Sequence, residues 1–182
     1  MIRRIALLFV SLPVALLVAG FFAPKWLFYS NQRPTRLGRA VNHAWAWAVA
    51  TGITPEVWPG EPRAGTIALE TVGRRSGERR SQVVTWVDHD GDRYLVSILG
   101  ERSDWVRNAR AAGGRATVHH GRRRPVRLEI VPVEERAPIL RSYLKRTARD
   151  TSVHLGLQPG DPMEEFARIA ERHPVFRIID AP

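Results

Sequence analysis

Hydrophobic and polar positions divide the chain into three unequal parts. The first is an uncharged stretch, Ile5–Phe22 (IALLFVSLPVALLVAGFF). At ~1.5 Å per residue a helix of this length nearly spans the hydrocarbon layer of a bilayer. Arg3 and Arg4 precede it, and Lys25, Trp26, Phe28 and Tyr29 follow, the mix of cations and aromatics typical of a membrane interface. A cleaved leader and a buried core helix are the alternatives. Against the leader, Ala23 follows Phe21-Phe22 and Ala19 follows Leu17-Val18, so no small-x-small cleavage pattern is present. No polar face exists for a helix lying on the surface, and Pro13 kinks a spanning helix without excluding it. The pattern predicts an N-terminal apolar helix that anchors residues 1–30 in a membrane, either crossing it or docking on it. Lys25, Arg33, Arg36 and Arg39 outweigh Arg3 and Arg4, which directs the rest of the chain to the cytoplasmic side.

The second part, 31–65, reads as linker and short helix. Asn31–Arg36 is polar and contains Pro34. Gly38–Thr51 has helical spacing, with Trp45 and Trp47 near an apolar stripe of Val41, Ala48 and Val49. Thr54–Gly65 is rich in Pro and Gly and reads as loop.

In the third part, 66–182, strand patterns dominate. Thr66–Val72 alternates loosely, and Ser81–His89 (SQVVTWVDH) is β-rich. Asp90-Gly91 is a hairpin turn signal, with Arg93–Leu99 as the return strand. Ser103 suits the N-cap of a helix through Ala112, which Gly113-Gly114 stops. Ala116–His120 and Arg124–Val133 form a further hairpin around Gly121-Arg122. Glu134–Arg149 is helical, with Ile139, Leu140, Tyr143 and Leu144 on its apolar side. Asp161-Pro162 opens a shorter helix, Met163–Arg172, and Val175–Ile179 is a last strand. Hairpins with segregated helices indicate an α+β fold whose strands make a small barrel. Regular β-helix-β alternation and G-x-G-x-x-G are both absent, which argues against a doubly wound dinucleotide fold.

Composition removes whole classes of chemistry. The 182 residues include no cysteine, so disulfides, thiolate nucleophiles and Cys-ligated metals are excluded. His43, His89, His119, His120, His154 and His173 show no chelating spacing, and no metal site is expected. No nucleophile elbow is present. The formal charge of +10 favours anionic partners. It is carried almost wholly by arginine, the only lysines being Lys25 and Lys145. Arginine suits two-pronged recognition of phosphate and carboxylate. Arg122-Arg123-Arg124 with Arg127 reads as a solvated turn facing anionic lipid or solvent. Nucleic acid is not expected as a partner, since no aromatics interleave with this run.

Two short stretches carry candidate chemistry. In Thr71–Gln82 (TVGRRSGERRSQ), Gly73 and Gly77 permit a tight turn whose N–H groups converge on an anion. Arg74 and Arg75 add charge and Ser76 a hydroxyl. A solvated basic hairpin turn is the plain alternative. In Gly100–Asn108 (GERSDWVRN) a helix starts where a strand leaves the sheet, a second place for an anion. There Trp105 either packs on a ligand or anchors the helix.

Gly73-Arg74-Arg75-Ser76-Gly77 between strands, Asp90-Gly91-Asp92-Arg93-Tyr94, Asp104-Trp105-Val106-Arg107-Asn108, and a hairpin opening Ala116-Thr117-Val118 together resemble the deazaflavin-dependent nitroreductase family. Its members are actinobacterial-type reductases and quinone reductases. The resemblance runs from about Thr66 to Val133, with an echo in Pro174–Ile179. It implies a split β-barrel of the FMN-binding kind with flanking helices. It also implies coenzyme F420, a deazaflavin with a phosphate and a polyglutamate tail, and hydride transfer to a quinone- or nitro-type small-molecule acceptor. By position, Arg74, Arg75 and Ser76 meet the coenzyme phosphate, on the cofactor-binding turn that Gly73 and Gly77 shape. Arg80, Gln82, Val83 and Val84 line the deazaflavin edge, Ser97 and Gly100 sit by ring or tail, and Trp105 and Asn108 brace the wall. No catalytic side chain is assigned, because the coenzyme carries the hydride. Relatives often have lysine where this chain has Arg75, and Asn-Pro where it has Gln82-Val83. They also place tyrosines over the substrate in a C-terminal helix, a region that here offers Tyr143 and Phe166. With an anchor, the acceptor and membrane lipid are the expected partners. The alternatives are an FMN-using or non-catalytic split-barrel binding protein and, in another class, a basic nucleic-acid-binding domain.

Overall fold

The computed structural model describes residues 29–30, 33–34, 36–54, 56–58 and 61–181. The anchor expected in Ile5–Phe22 lies outside them. Among the described residues no helix is long and apolar enough to cross a membrane.

A two-stranded ribbon, β1 (Tyr29–Ser30) and β2 (Arg33–Pro34), leads into helix α1 (Arg36–Thr51), two residues longer at its start than expected. The strands that follow are β3 (Val57–Trp58), β4 (Glu61–Val72), β5 (Arg79–His89) and β6 (Asp92–Val96). After α2 (Asp104–Ala111) come β7 (Arg115–His120) and β8 (Arg122–Ile130). Helices α3 (Arg136–Leu155) and α4 (Met163–Ala170) precede the last strand, β9 (Val175–Asp180). The sheet runs β3-β4-β5-β6-β9-β8-β7, and β7 pairs back onto β4. Six antiparallel strands therefore close into the barrel that the hairpin pattern and the resemblance imply.

The closure explains why strand alternation is blurred in the sequence. Trp86, Leu95 and Phe176 point into the barrel with Leu69, Val106 and Val118. Their chain neighbours Val87, Val96 and Val175 point outward and are also buried, because α3 and α4 cover that face with Leu140, Leu144 and Phe166. A strand buried on both sides reads as a continuous apolar run. Asp90 and Gly91 both have positive φ (53° and 88°), as a two-residue hairpin turn requires.

The structure departs from expectation at four places. The stretch read as loop up to Gly65 holds β3 and the start of β4. Its Pro and Gly do not mark a turn: a Cβ on Gly65 would lie 1.9 Å from the Glu56 carbonyl oxygen, so glycine there permits close strand approach. The strand expected to reach Leu99 ends at Val96 and passes into a 3-10 turn, Gly100–Arg102. Ser103 occupies the N-cap of α2 but makes no side-chain capping bond; its hydroxyl lies 2.8 Å from Ser97 Oγ instead. In α1, Ala46, Ala48 and Val49 face the barrel, while Trp47 points away from it and is 56% exposed.

Candidate functional site

The β4–β5 connection is a closed loop. Gly73 N–H donates to Glu78 O (2.8 Å) and Gly77 N–H to Gly73 O (2.8 Å), with Gly77 at φ +69°. A Cβ on Gly73 would stand 2.8 Å from Ser76 Oγ and 3.3 Å from the Glu78 carbonyl oxygen, so glycine at 73 leaves the Ser76 hydroxyl free to sit inside the loop. Ser76 Oγ accepts the Glu78 N–H at 3.3 Å, which leaves its own proton to donate.

Helix α2 holds this loop in place. Asn108 is 4% exposed. Its Oδ1 accepts the Arg74 backbone N–H (3.2 Å) and Arg74 Nη1 (3.1 Å), and its Nδ2 donates to Thr71 Oγ1 (3.4 Å). Arg74 Nη1 also reaches Asp104 Oδ1 at 3.1 Å. One amide thus ties the end of β4, the loop backbone and the loop's first arginine to the helix. Trp105 is buried beside it, its ring tilted 58° to Phe176 with centroids 5.2 Å apart, and so anchors α2 to the barrel interior.

Between the loop and α2 lies a cleft of about 620 Å³. Arg74, Arg75, Arg79 and Arg80 line it against the carboxylates of Glu78 and Asp104, leaving a positive balance. Arg80 pairs with Glu78 (2.7 Å) and Arg79 with Glu70 (3.2 Å). Arg75 is exposed on the cleft, with no carboxylate against it among the described residues. The donors present are guanidinium N–H groups, a hydroxyl and a glycine-shaped turn, a set suited to a phosphate. In this respect the residues fit a phosphate-bearing coenzyme.

Of the residues singled out in the sequence, Gly73, Arg74, Arg75, Ser76, Arg80, Gln82, Trp105 and Asn108 line this cleft, and Gly77 shapes the loop without lining it. The other four lie elsewhere. Val84 packs with the barrel interior, and Val83 sits opposite Ala68 in the β4–β5 ladder. Ser97 is 1% exposed and donates its hydroxyl to Gly100 O (2.8 Å). A Cβ on Gly100 would lie 2.5 Å from the Arg172 carbonyl oxygen. The C-terminal segment therefore seals this corner: His173 Nδ1 lies 3.1 Å from Ser97 O, and burial lowers the His173 pKa below its ordinary value despite that bond. Tyr143 and Phe166 are buried between α3, α4 and the barrel, and burial pushes the Tyr143 hydroxyl up to about 12. Neither stands over the cleft.

Sequence reasoning gave no role to Thr71, Glu78, Arg79, Ser81 or Asp104, all of which line the cleft. Asp104 begins the motif that carried the resemblance, and only the approach of α2 to the loop reveals its contact with Arg74. Among the described residues no three His, Asp or Glu side chains gather as a metal site would require.

The sequence profile of the F420H(2)-dependent quinone reductases matches residues 40–153. No curated protein matches the chain. Similar solved structures include an F420-H2 dependent reductase (17% identity, 62% of this chain and 92% of the other, TM-score 0.40). A conserved hypothetical protein of Mycobacterium tuberculosis is similar at 18% identity, over 64% of this chain and 73% of the other, with TM-score 0.44. A protein of unknown function from Agrobacterium tumefaciens is similar at 15% identity over 64% of this chain, with TM-score 0.46; the chain spans 48% of that protein.

Proposed function

The chain belongs to the F420H(2)-dependent quinone reductase family, and from that premise we propose that it is an oxidoreductase passing a hydride from reduced F420 to a quinone- or nitro-type acceptor beside a membrane. The observation that carries the reading is the cleft in which Arg74, Arg75 and Ser76 converge on one face of a loop clamped by Asn108. The bound coenzyme would supply the hydride. The protein's own share is binding, orientation and exclusion of water. In this reading Arg75 and Ser76 donate to the coenzyme phosphate. Arg74, held by Asn108 and Asp104, keeps the loop in the receiving conformation. Arg79 and Arg80 add attraction for a polycarboxylate tail, and Gln82, further along β5 on the cleft wall, meets the edge of the ring system.

The membrane part of the proposal rests on Ile5–Phe22 and the cations after it. An anchor there would hold the domain on the cytoplasmic face, within reach of lipid-soluble acceptors.

The deciding experiment is a fluorescence titration of the full chain in detergent with oxidised F420 and, in parallel, with FMN. The expected result is saturable binding of F420 and weaker binding of FMN. Preference for FMN would move the protein to the flavin-using alternative, and binding of neither would end the reductase reading. Turnover of reduced F420 with a menaquinone analogue then separates an enzyme from a binding protein.

A further inference from the structure

In sequence the β7–β8 turn is a solvated basic turn facing anionic lipid or solvent, and the fold gives it apolar company. Gly121 N–H donates to Ala50 O in the last turn of α1 (2.9 Å), and a Cβ on Gly52 would stand 3.0 Å from Gly121 Cα. His120 Nε2 bonds Thr54 O at 2.6 Å. The end of α1 and this turn are thus fixed to each other. On the helix side the joined surface carries Trp47 (56% exposed), one helical turn before Thr51, and Ile53 (67% exposed). On the strand side it carries Arg122 and Arg124, both exposed and alternating onto one side of β8. Arg124 pairs with Asp180 (3.1 Å), while Arg123 alternates to the other side of β8 and reaches Glu70 (2.9 Å), which it shares with Arg79 of the cleft. Arg122 has no carboxylate against it among the described residues.

An exposed indole and an exposed aliphatic side chain beside a pair of guanidiniums is the composition of a surface that meets anionic lipid. Aromatic and aliphatic groups enter the interface while arginines stay at the headgroups. Single-stranded nucleic acid fits less well, because it calls for several aromatic faces in a row along a basic groove, and Trp47 is the one exposed aromatic this surface offers among the described residues. We infer that the end of α1 and the β7–β8 turn form a docking face for an anionic lipid bilayer. Ladder register places it at the opposite end of β4 from the cleft: β7 pairs Ala68 with His119, so its turn lies towards the start of β4, while the Gly73 loop follows the end. Docked this way, the barrel leaves its arginine-lined cleft open to water, where a highly charged coenzyme exchanges. The inference does not need Ile5–Phe22 to insert. An anchor alone would bring the domain to a bilayer without selecting which side of the barrel meets it.

The absence of native cysteine makes the test clean. An environment-sensitive fluorophore is attached to Ile53→Cys and, as a comparison, to Glu164→Cys on the exposed side of α4, each in the full chain. Vesicles of phosphatidylcholine alone and of phosphatidylcholine with phosphatidylserine are then added. The expected result is a blue shift at position 53 on the serine-containing vesicles, little shift at position 164, and a weaker shift on neutral vesicles. Adding Arg122→Glu and Arg124→Glu should cut the shift at 53, with apparent vesicle affinity falling on the order of tenfold. Circular dichroism and F420 binding should be unchanged. If the protein sediments with vesicles while the probe at 53 stays in water, the apolar segment acts alone and the docking face is refuted. Equal shifts at both positions, equal shifts on both lipids, or a shift elicited by a single-stranded oligonucleotide and not by vesicles would overturn it equally.

Discussion

Two hairpin turns of this barrel are dense in arginine, and they are built to different ends. The β4–β5 loop curls around glycine, is clamped by a buried amide from α2, and opens onto a cleft of about 620 Å³. The β7–β8 turn is flush with the end of α1 and presents its arginines outward, two of them against Glu70 and Asp180. Arginine content does not separate the two. A concave anion site needs a second element that holds cations in excess around a hollow; the first turn has α2, whereas the smaller hollow of about 350 Å³ that Arg124 lines sets Asp92 and Asp180 against Arg93 and Arg124. The second offers Arg122 outside any such hollow, which suits a broad anionic partner rather than a small one.

The contrast is broken most severely by removing the clamp. Asn108→Ala deletes acceptors for the Arg74 N–H and guanidinium at a buried position, where each unmade bond costs about 1–3 kcal/mol. We expect a lower melting temperature and a loss of F420 affinity of at least roughly tenfold, seen by thermal unfolding and coenzyme titration. Unchanged affinity would mean that the loop holds its shape without α2. The next effect is smaller and cleaner. Arg75→Ala should weaken F420 binding by about 1–3 kcal/mol, the loss of a charge-assisted bond, with no change in melting. Arg122→Ala should leave F420 binding untouched. Equal losses from both would show that general positive charge, not the cleft, attracts the coenzyme.

Asp104 sharpens the comparison further. Its exposed carboxylate sits on Arg74 at 3.1 Å, inside the cleft it partly neutralises. Asp104→Asn should tighten binding of F420, and of inorganic pyrophosphate as a simple probe, by roughly 0.5 kcal/mol, the scale of an exposed ion pair. The gain should shrink as salt is raised. Weaker binding would instead make Asp104 a needed brace for Arg74.

Much of this was readable from residue order. Asp90-Gly91 fixed one hairpin, Gly113-Gly114 ended α2, and the Gly73–Gly77 spacing marked the loop, because each depends on backbone constraints local to a few residues. What failed depended on contacts across the chain. Gly65 reads as a breaker until the Glu56 carbonyl is seen beside it. Ser103 takes the N-cap place its type suggests, but its hydroxyl meets Ser97 beyond the end of β6 instead of the helix backbone. Trp47 looks like core, since period alone cannot say which side of α1 meets the barrel. The cleft does not reach Ser97 and Gly100, placed beside the coenzyme by resemblance; both lie against the segment Arg172–Pro174.

That sealed corner yields the smallest effect. His173 is buried with Nδ1 on the Ser97 carbonyl, and burial keeps its pKa below the ordinary 6.5. Unfolding releases it to titrate near that value, so below pH 6.5 the unfolded chain binds more protons than the folded one. Stability is therefore full above this pH, falls as pH drops towards the folded-state pKa, and has no further slope from this group beneath it. His119, whose pKa burial also lowers, contributes in the same direction. His173→Asn, which keeps an N–H for Ser97, should flatten the fall in melting temperature between neutral and mildly acid pH, and adding His119→Asn should flatten it more. F420 affinity at neutral pH should not change in His173→Asn, because the histidine supports the wall behind Ser97 and not the cleft. Loss of affinity in that variant would place the Ser97–Gly100 corner back at the coenzyme, and the site would then extend around the barrel end from the Gly73 loop.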